Sequence, residues 1–179
     1  MNRLFVLAFI LCGRLGAAAV DSGAATAQDF EKKVSAYVDL RKSVESNLPP
    51  LKSTPSPEKI SGRQHQLADG IREARKNARP GDLFTPPVAD EFRRLIRIAM
   101  EAGGPQIQAS LRHAEPVKVK LHVNDSYPDH IPLQSTPPSL LANLPQLPQQ
   151  IEYRLAGTDL ILLDVRANLV VDLLERVIP

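Results

Sequence analysis

The spacing of apolar residues changes once along this chain, close to Pro116, and this change restricts the possible folds more than any other feature. Before Pro116, apolar residues recur at intervals of three and four, which is the period of a helix with one buried face. After it they alternate with polar residues, which is typical of a half-buried strand. Helices followed by strands predict an α+β fold. We expect about three N-terminal helices, then a small antiparallel sheet of three to four strands with a proline-rich connection.

Capping and breaking residues divide the first part of the chain into three helices. The predicted starts are Asp29, Ser56 and Thr85, of which the last two precede a proline. The predicted ends are Asn47, just before Pro49-Pro50, then Pro80-Gly81 and Gly103-Gly104-Pro105, with a weaker helical segment over 106–114. The first helix has a face comprising Phe30, Val34, Tyr37, Val38, Arg41, Val44 and Leu48. The apolar face of the second comprises Ile60, Leu67, Ile71, Ala74 and Ala78.

Three segments after Pro116 read as strands. The first alternates over 117–123 and the second over 151–155. Gly157-Thr158-Asp159 predicts a tight turn into a third strand over 160–165. The segment 167–177 fits either a further strand or a short helix. We prefer the strand, because Val and Leu dominate this segment and an isolated hairpin is only marginally stable.

Six prolines lie between Pro128 and Pro148. Proline fixes φ and removes a backbone donor, so this segment is predicted to be extended, with one helical turn over 139–143. Leucines are interleaved along it: Leu133, Leu140, Leu141, Leu144 and Leu147. They indicate either a strap over the protein's own core or a docking surface for an envelope protein.

The first 27 residues have the pattern of a secretory signal peptide. Arg3 precedes a compact apolar run, and Ala25-Thr26-Ala27 offers a cleavage site, with a cut after Ala19 as the alternative. An uncleaved anchor and a lipoprotein acylated at Cys12 are the competing interpretations. We therefore predict export across the inner membrane to the periplasm or the medium, with no transmembrane span after cleavage. The mature chain is predicted to be one α+β domain, residues 28–179, without cysteine.

The predicted mature chain is close to electrically neutral. It carries 20 Lys and Arg (22 minus Arg3 and Arg14) against 19 Asp and Glu (20 minus Asp21). Its aromatic residues are few, whereas grooves for single-stranded nucleic acid depend on stacked rings. We expect no nucleic-acid partner and no cofactor.

The C-terminal third resembles a family of uncharacterised exported bacterial proteins. Two blocks carry the resemblance: PPSLLANLPQLP over 137–148 and YRLAGTDLILLDVRANLVVDLL over 153–174. The resemblance implies a setting in the bacterial envelope or outside the cell. It implies no reaction, cofactor or catalytic residue.

One group of residues has the composition of a metal site. His122, Asp125, Asp129 and His130 offer imidazole and carboxylate ligands that a turn could bring together. Their spacing matches no zinc motif, and all four also fit an ordinary loop. Asp159, Asp164 and Asp172 raise the idea of paired catalytic carboxylates, but the last two fit charges that protect a sheet edge.

A second group of residues is basic. It indicates either a patch for an anionic envelope ligand or ordinary solvated helix faces. Its members are Arg72, Arg75, Lys76, Arg79, Arg93, Arg94 and Arg97. From all these features we expect a non-enzymatic binding or scaffolding module with an envelope protein or an anionic envelope ligand as partner. The alternative is a small metal-binding protein or hydrolase that uses the four-residue group around His122.

Overall fold

The structure, a computed structural model, describes residues 15–50, 55–113, 119–128 and 136–178. The helices are α1 (Leu15–Ser46), α2 (Pro57–Ala74), α3 (Pro86–His113) and the single-turn α4 (Pro138–Leu141). The strands are β1 (Ile151–Ala156), β2 (Asp159–Asp164) and β3 (Leu169–Leu174). Helices precede the sheet, so the predicted α+β class is confirmed.

Helix α1 begins earlier than the capping signal predicts. Asp29, the predicted N-cap, lies in the interior of the helix. The alanine-rich sequence before it has a high helix propensity and continues the helical backbone. The helix therefore runs through Ala19 and Ala27, the two predicted cleavage positions, and ends at Ser46, next to the predicted end at Asn47.

Helix α2 begins as predicted and ends early. The Ser56 side chain is the N-cap and accepts a hydrogen bond from the Lys59 amide at 3.3 Å. The helix ends at Ala74 because the next residue, Arg75, has non-helical backbone angles, φ −118° and ψ 28°. The backbone that follows forms turns, in which the Ala78 amide donates to Arg75 O at 2.8 Å, instead of continuing the helix to Pro80. Ala74 is consequently exposed, and its predicted place on the buried face is wrong.

Helix α3 is two helical segments joined at a kink. Gly103 has non-helical angles (φ −111°, ψ 16°), and Pro105 lacks the N–H that a continuous helix would use. The predicted break at Gly103 and the weaker helical segment after it are both confirmed, up to His113. Neither α3 nor any other helix in the described ranges is long and apolar enough to cross a membrane.

The sheet is antiparallel, with the order β1-β2-β3. Gly157 and Thr158 form the two-residue turn between β1 and β2, and Gly157 has φ 66°, a value that glycine adopts without strain. The segment left open between strand and helix is β3, so the predicted strand is confirmed. A register shift lies between Leu162 and Leu163.

The predicted strand over 117–123 is wrong for its described part, which has no ladder pairing. Asn124 has φ 70° and turns the chain. The next residues then follow β3: the Asn124 amide donates to Val170 O at 2.8 Å, and the Val170 amide donates to Asp125 O at 2.9 Å. This irregular segment covers the outer edge of β3. Positions 117 and 118 lie outside the described residues.

Both faces of the sheet are buried, which explains the uninterrupted apolar sequence of β2. Leu160 and Leu162 pack into the main core with α1, α2 and α3. Ile161 and Leu163 point to the opposite face, where Tyr127 covers them with other residues of the irregular segment. In the main core, Phe30 lies 4.9 Å from Phe92 between ring centroids.

The described half of the proline-rich segment packs over the core. Leu140 and Leu144 are buried in the main cluster, and the single-turn helix α4 matches the turn predicted over 139–143. The Thr136 hydroxyl donates to the Tyr153 carbonyl of β1 at 3.1 Å. This half is therefore an internal strap. Leu133 lies outside the described residues.

Candidate functional site

Two of the four predicted metal ligands can be placed. His122 Nδ1 lies 3.0 Å from Asp125 Oδ2, and the same oxygen accepts the His122 amide at 2.8 Å. Asp129 and His130 lie outside the described residues. Among the residues that are described, no three His, Cys, Asp or Glu side chains come together as a metal site. The four-residue metal site therefore stays a prediction.

The seven basic residues lie on two parts of the fold. Four lie at the end of α2 and in the turn after it, three lie on α3, and each of these helices packs on α1. Arg72 connects α2 to the irregular segment beside β3, and Arg75, which directly follows α2, contacts β3 itself. Arg72 Nε donates to Asn124 O at 2.9 Å, and Arg75 donates to Val171 O at 2.9 Å while its guanidinium lies over the Tyr37 ring. Burial lowers the pKa of Arg75.

Three more members of this set are paired with carboxylates. Lys76 lies 3.2 Å from Glu73 Oε1, Arg93 lies 3.5 Å from an oxygen of Asp90, and Arg94 lies 2.6 Å from Glu91 Oε1. Arg72 lies 2.8 Å from Asp69 Oδ1, whereas Arg75, Arg79 and Arg97 form no ion pair with a carboxylate of the described residues. Five of the seven side chains thus already have internal partners, and the anion-binding patch stays a prediction.

Two aspartates on the polar phase of their strands are fully buried, so their predicted role at a sheet edge is wrong. Asp172 accepts the amides of Leu83 and Phe84 at 2.8 Å each, and that of Gly81 at 3.0 Å. A carboxylate surrounded by backbone donors holds the loop before α3 against β3. Both Asp172 oxygens are therefore occupied by backbone amides, and the role of this side chain is structural.

The second buried aspartate, Asp164, is the centre of a polar cluster. We call Tyr37, Arg41, Glu45 and Asp164 the Asp164 cluster. Asp164 Oδ2 accepts Tyr37 OH at 2.9 Å and Arg41 Nε at 2.8 Å. Arg41, only 2% exposed, also donates to Glu45 Oε2 at 2.7 Å. The cluster joins α1 to the end of β2.

The two groups at the centre of the Asp164 cluster, Asp164 and Tyr37, are not free for acid–base chemistry. Asp164 Oδ1 accepts the amides of Arg166 and Ala167 at 3.1 and 3.0 Å, so both carboxylate oxygens are occupied. Burial, and then the Asp164 charge, raise the pKa of Tyr37 far above its ordinary value, so this hydroxyl is a neutral donor. The cluster fixes the turn after β2.

That turn forms one wall of a surface groove. The groove has a volume of about 530 Å³. It lies between the end of α1, the first turns of α2 and the turn after β2. We call it the Ile60–Val165 groove, and its lining is Glu45, Ile60, Arg63, Gln64, Leu67, Val165 and Arg166.

Two large aliphatic side chains face solvent in this groove. Ile60 is 52% exposed and Val165 is 41% exposed. Ile60 is predicted to lie on the buried face of α2, and this prediction is wrong because a groove rather than a packed element lies against that turn. Leu67, two turns further along α2, is buried as predicted.

The basic groups of the groove are held by internal contacts. The Arg63 guanidinium donates to Pro49 O at 2.8 Å and to Glu45 O at 3.4 Å. Arg166 is 74% exposed and lies 3.7 Å from Glu45 Oε1. Glu45 is already shared with Arg41, so the groove carries a positive excess.

Sequence reasoning missed this groove because its two aliphatic residues lie on different elements far apart in the chain. The one local signal is Val165, an apolar residue that follows the last position of β2 and precedes a charged residue. Comparison with protein-family models, with curated proteins and with solved structures finds no match for this chain. The class that the fold and site define is a small α+β protein with an apolar, basic-rimmed groove.

Proposed function

We propose that this chain is an exported protein of the bacterial envelope and acts as a non-enzymatic binding module through the Ile60–Val165 groove. One observation carries the proposal. Of the three large hydrophobic residues exposed among the described residues, two line this one groove from different elements. Contiguous exposed apolar surface with a polar rim is typical of an interaction site.

The rigidity of the groove supports binding. The Asp164 cluster holds the turn that carries Val165, and the Ser56 cap begins the helix that carries Ile60. A surface that is ordered before binding loses less conformational entropy when a partner arrives. The buried aspartates, in contrast, are occupied by internal donors, which favours binding over catalysis.

The location rests on the N-terminal sequence and on the resemblance of the C-terminal third. The leader pattern over the first 27 residues supports export, and the two matching blocks support an envelope setting.

Site-specific photo-crosslinking in living cells tests the proposal. A photoreactive residue at Val165 is compared with one at Ile98, which is equally exposed (41%) but lies on α3 outside the groove. We expect a discrete crosslinked product from position 165 alone, and we expect Ile60→Asp to abolish it. Equal crosslinking from both positions, or none from either, would contradict the proposal.

A second candidate function rests on the contact between His122 and Asp125. A carboxylate on one ring nitrogen orients the other nitrogen, as in many metal sites. If this is a metal-binding protein or hydrolase, purified protein contains stoichiometric metal, which His122→Ala removes. Metal-free protein would reject this candidate.

A further inference from the structure

The walls of the Ile60–Val165 groove are aliphatic. Ile60 and Leu67 contribute from α2, and Val165 contributes from the turn after β2. No aromatic residue is among the described residues that line it, whereas sugar-binding surfaces use aromatic faces. The volume of about 530 Å³ lies within the range of about 300–1,000 Å³ that is usual for ligand sites. The groove therefore fits aliphatic side chains.

The charged residues at the rim of the groove favour a ligand that carries negative charge. Arg63 and Arg166 bring two positive charges, and Glu45 brings one negative charge, which leaves a formal excess of one (two minus one). Below the rim, Arg41 and Asp164 form an ion pair and cancel. A group bound beside the aliphatic walls would thus meet a net positive field.

The Arg63 and Arg166 guanidinium groups differ in their present contacts and therefore in how each could bind an anion. Arg63 is held by neutral carbonyls, so no carboxylate in the described part of the chain neutralises it. Arg166 is mostly exposed, and its 3.7 Å contact with Glu45 is longer than a hydrogen bond. A carboxylate suits a guanidinium, because the two planar groups can form paired hydrogen bonds.

We propose that the groove binds a short peptide segment in which aliphatic side chains alternate with carboxylates. This inference rests on the proposed function, because it names the partner of the same groove. The aliphatic side chains occupy the walls between Ile60 and Val165, and a carboxylate pairs with Arg166. A membrane surface would instead require a broad basic face, whereas this groove is concave, with aliphatic walls and only two arginines among its described lining residues.

Fluorescence anisotropy with three labelled peptides tests the inference on the purified protein. The first is Gly-Leu-Asp-Leu-Glu-Gly. The second replaces both acids by amides, and the third replaces both leucines by serine. We expect the first peptide to bind at least about tenfold more tightly than either control, since each control lacks one of the two groups the groove requires. Equal binding of the amide peptide would overturn the inference.

Matched variants assign the binding to the groove. Arg166→Glu is expected to weaken binding of the first peptide at least about tenfold. Arg97→Glu, which makes the same change at an exposed arginine on α3, is expected to change it less than about twofold. Equal losses in the two variants would show a non-specific charge effect and overturn the inference.

Crosslinking separates this inference from the function on which it rests. If position 165 still crosslinks a partner in Arg166→Glu cells, the groove binds something other than a carboxylate peptide, and only the inference fails. If position 165 yields no crosslink in any background, the proposed function fails as well. Binding to vesicles of anionic phospholipid that is lost in Arg166→Glu, with no peptide binding, would reassign the groove to a lipid surface and overturn the inference.

Discussion

Asp164 connects two segments that lie far apart in the sequence. Its partner Arg41 is 123 positions away, and the same carboxylate also receives two amides of the turn that follows it. A buried ion pair contributes little net stability when it is complete, because each charge has lost its hydration. Its importance here is positional, since the turn carries Val165 and Arg166 into the groove.

The prediction at this residue concerns Asp164→Asn. In either orientation the amide nitrogen of asparagine would face two groups that donate to the present carboxylate, because each Asp164 oxygen accepts two hydrogen bonds. Removing one charge of a buried pair costs about 3–5 kcal/mol. We expect a loss of about 3 kcal/mol in the free energy of unfolding, measured by urea denaturation, because Glu45 remains a partner of Arg41.

The control for this substitution is Asp39→Asn on the exposed side of α1. Asp39 forms only a surface pair with Lys42, so its substitution is expected to change stability by less than about 0.5 kcal/mol. A loss below about 1 kcal/mol for Asp164→Asn would show that the buried charge pair does not hold the turn.

A second prediction at the scale of residues concerns the pH dependence of stability that Glu91 causes. The hydrogen bond from Arg94 holds the pKa of Glu91 below its usual value of 4.5. The folded state therefore favours the carboxylate, and the resulting stability is present above that value and lost as the pH falls through the lower folded-state pKa. We expect Glu91→Gln to reduce the free energy of unfolding by about 0.5 kcal/mol at neutral pH.

The pH dependence of that difference provides the measurement. Urea denaturation of both proteins is expected to give a difference in stability that shrinks as the pH falls below 4.5, because the carboxylate of the parent protein then becomes protonated. Glu101→Gln on the same helix is the comparison, because Glu101 is exposed. A difference between parent and Glu91→Gln that is unchanged at acid pH would exclude the ion pair as its cause.

At the scale of elements, local sequence signals determine some helix and strand boundaries, and long-range contacts determine others. The start of α2 was predictable because Ser56 and Pro57 act within one turn, and the β1–β2 hairpin was predictable because Gly157 accepts positive φ. The end of α2 was not predictable, since Arg75 leaves the helix to reach β3. The same holds for the groove, because nothing local indicates that Ile60 and Val165 share a surface.

The N-cap of α2 supports an element-scale prediction. Ser56→Ala removes the acceptor for the Lys59 amide, and loss of an N-cap costs about 1 kcal/mol. We expect this decrease in the free energy of unfolding together with weaker crosslinking from position 165, because Ile60 lies in the first turn of this helix.

The matched variant is Ser61→Ala within the same helix. Ser61 makes only a 3.4 Å contact with Glu58 O, and alanine is the better helix former, so no loss of stability is expected. Equal destabilisation by the two substitutions would show that the effect does not come from the cap.

At the scale of the whole molecule, the core begins close to the predicted cleavage site. Phe30 is fully buried and contacts Phe84, Phe92 and Tyr153, which belong to three other parts of the chain. A cut after Ala27 would leave this aromatic cluster complete. The sequence predicted the order of helices and sheet, but the placement of this cluster depends on contacts between all layers.

Export and processing provide the last prediction. Protein recovered from the periplasm or medium is expected to begin at Gln28, or at Val20 if the cut follows Ala19, as measured by intact mass.

Residues 28–179 expressed alone are expected to keep a cooperative thermal unfolding transition and the near-ultraviolet signal of packed aromatic rings, because Phe30 is retained. Removing residues 1–30 would delete Phe30 from the core, and a loss of about 3–5 kcal/mol is expected from that deletion alone. A chain of residues 28–179 that fails to fold, while the full chain folds, would show that the N-terminal part of α1 belongs to the domain and that the leader prediction is wrong.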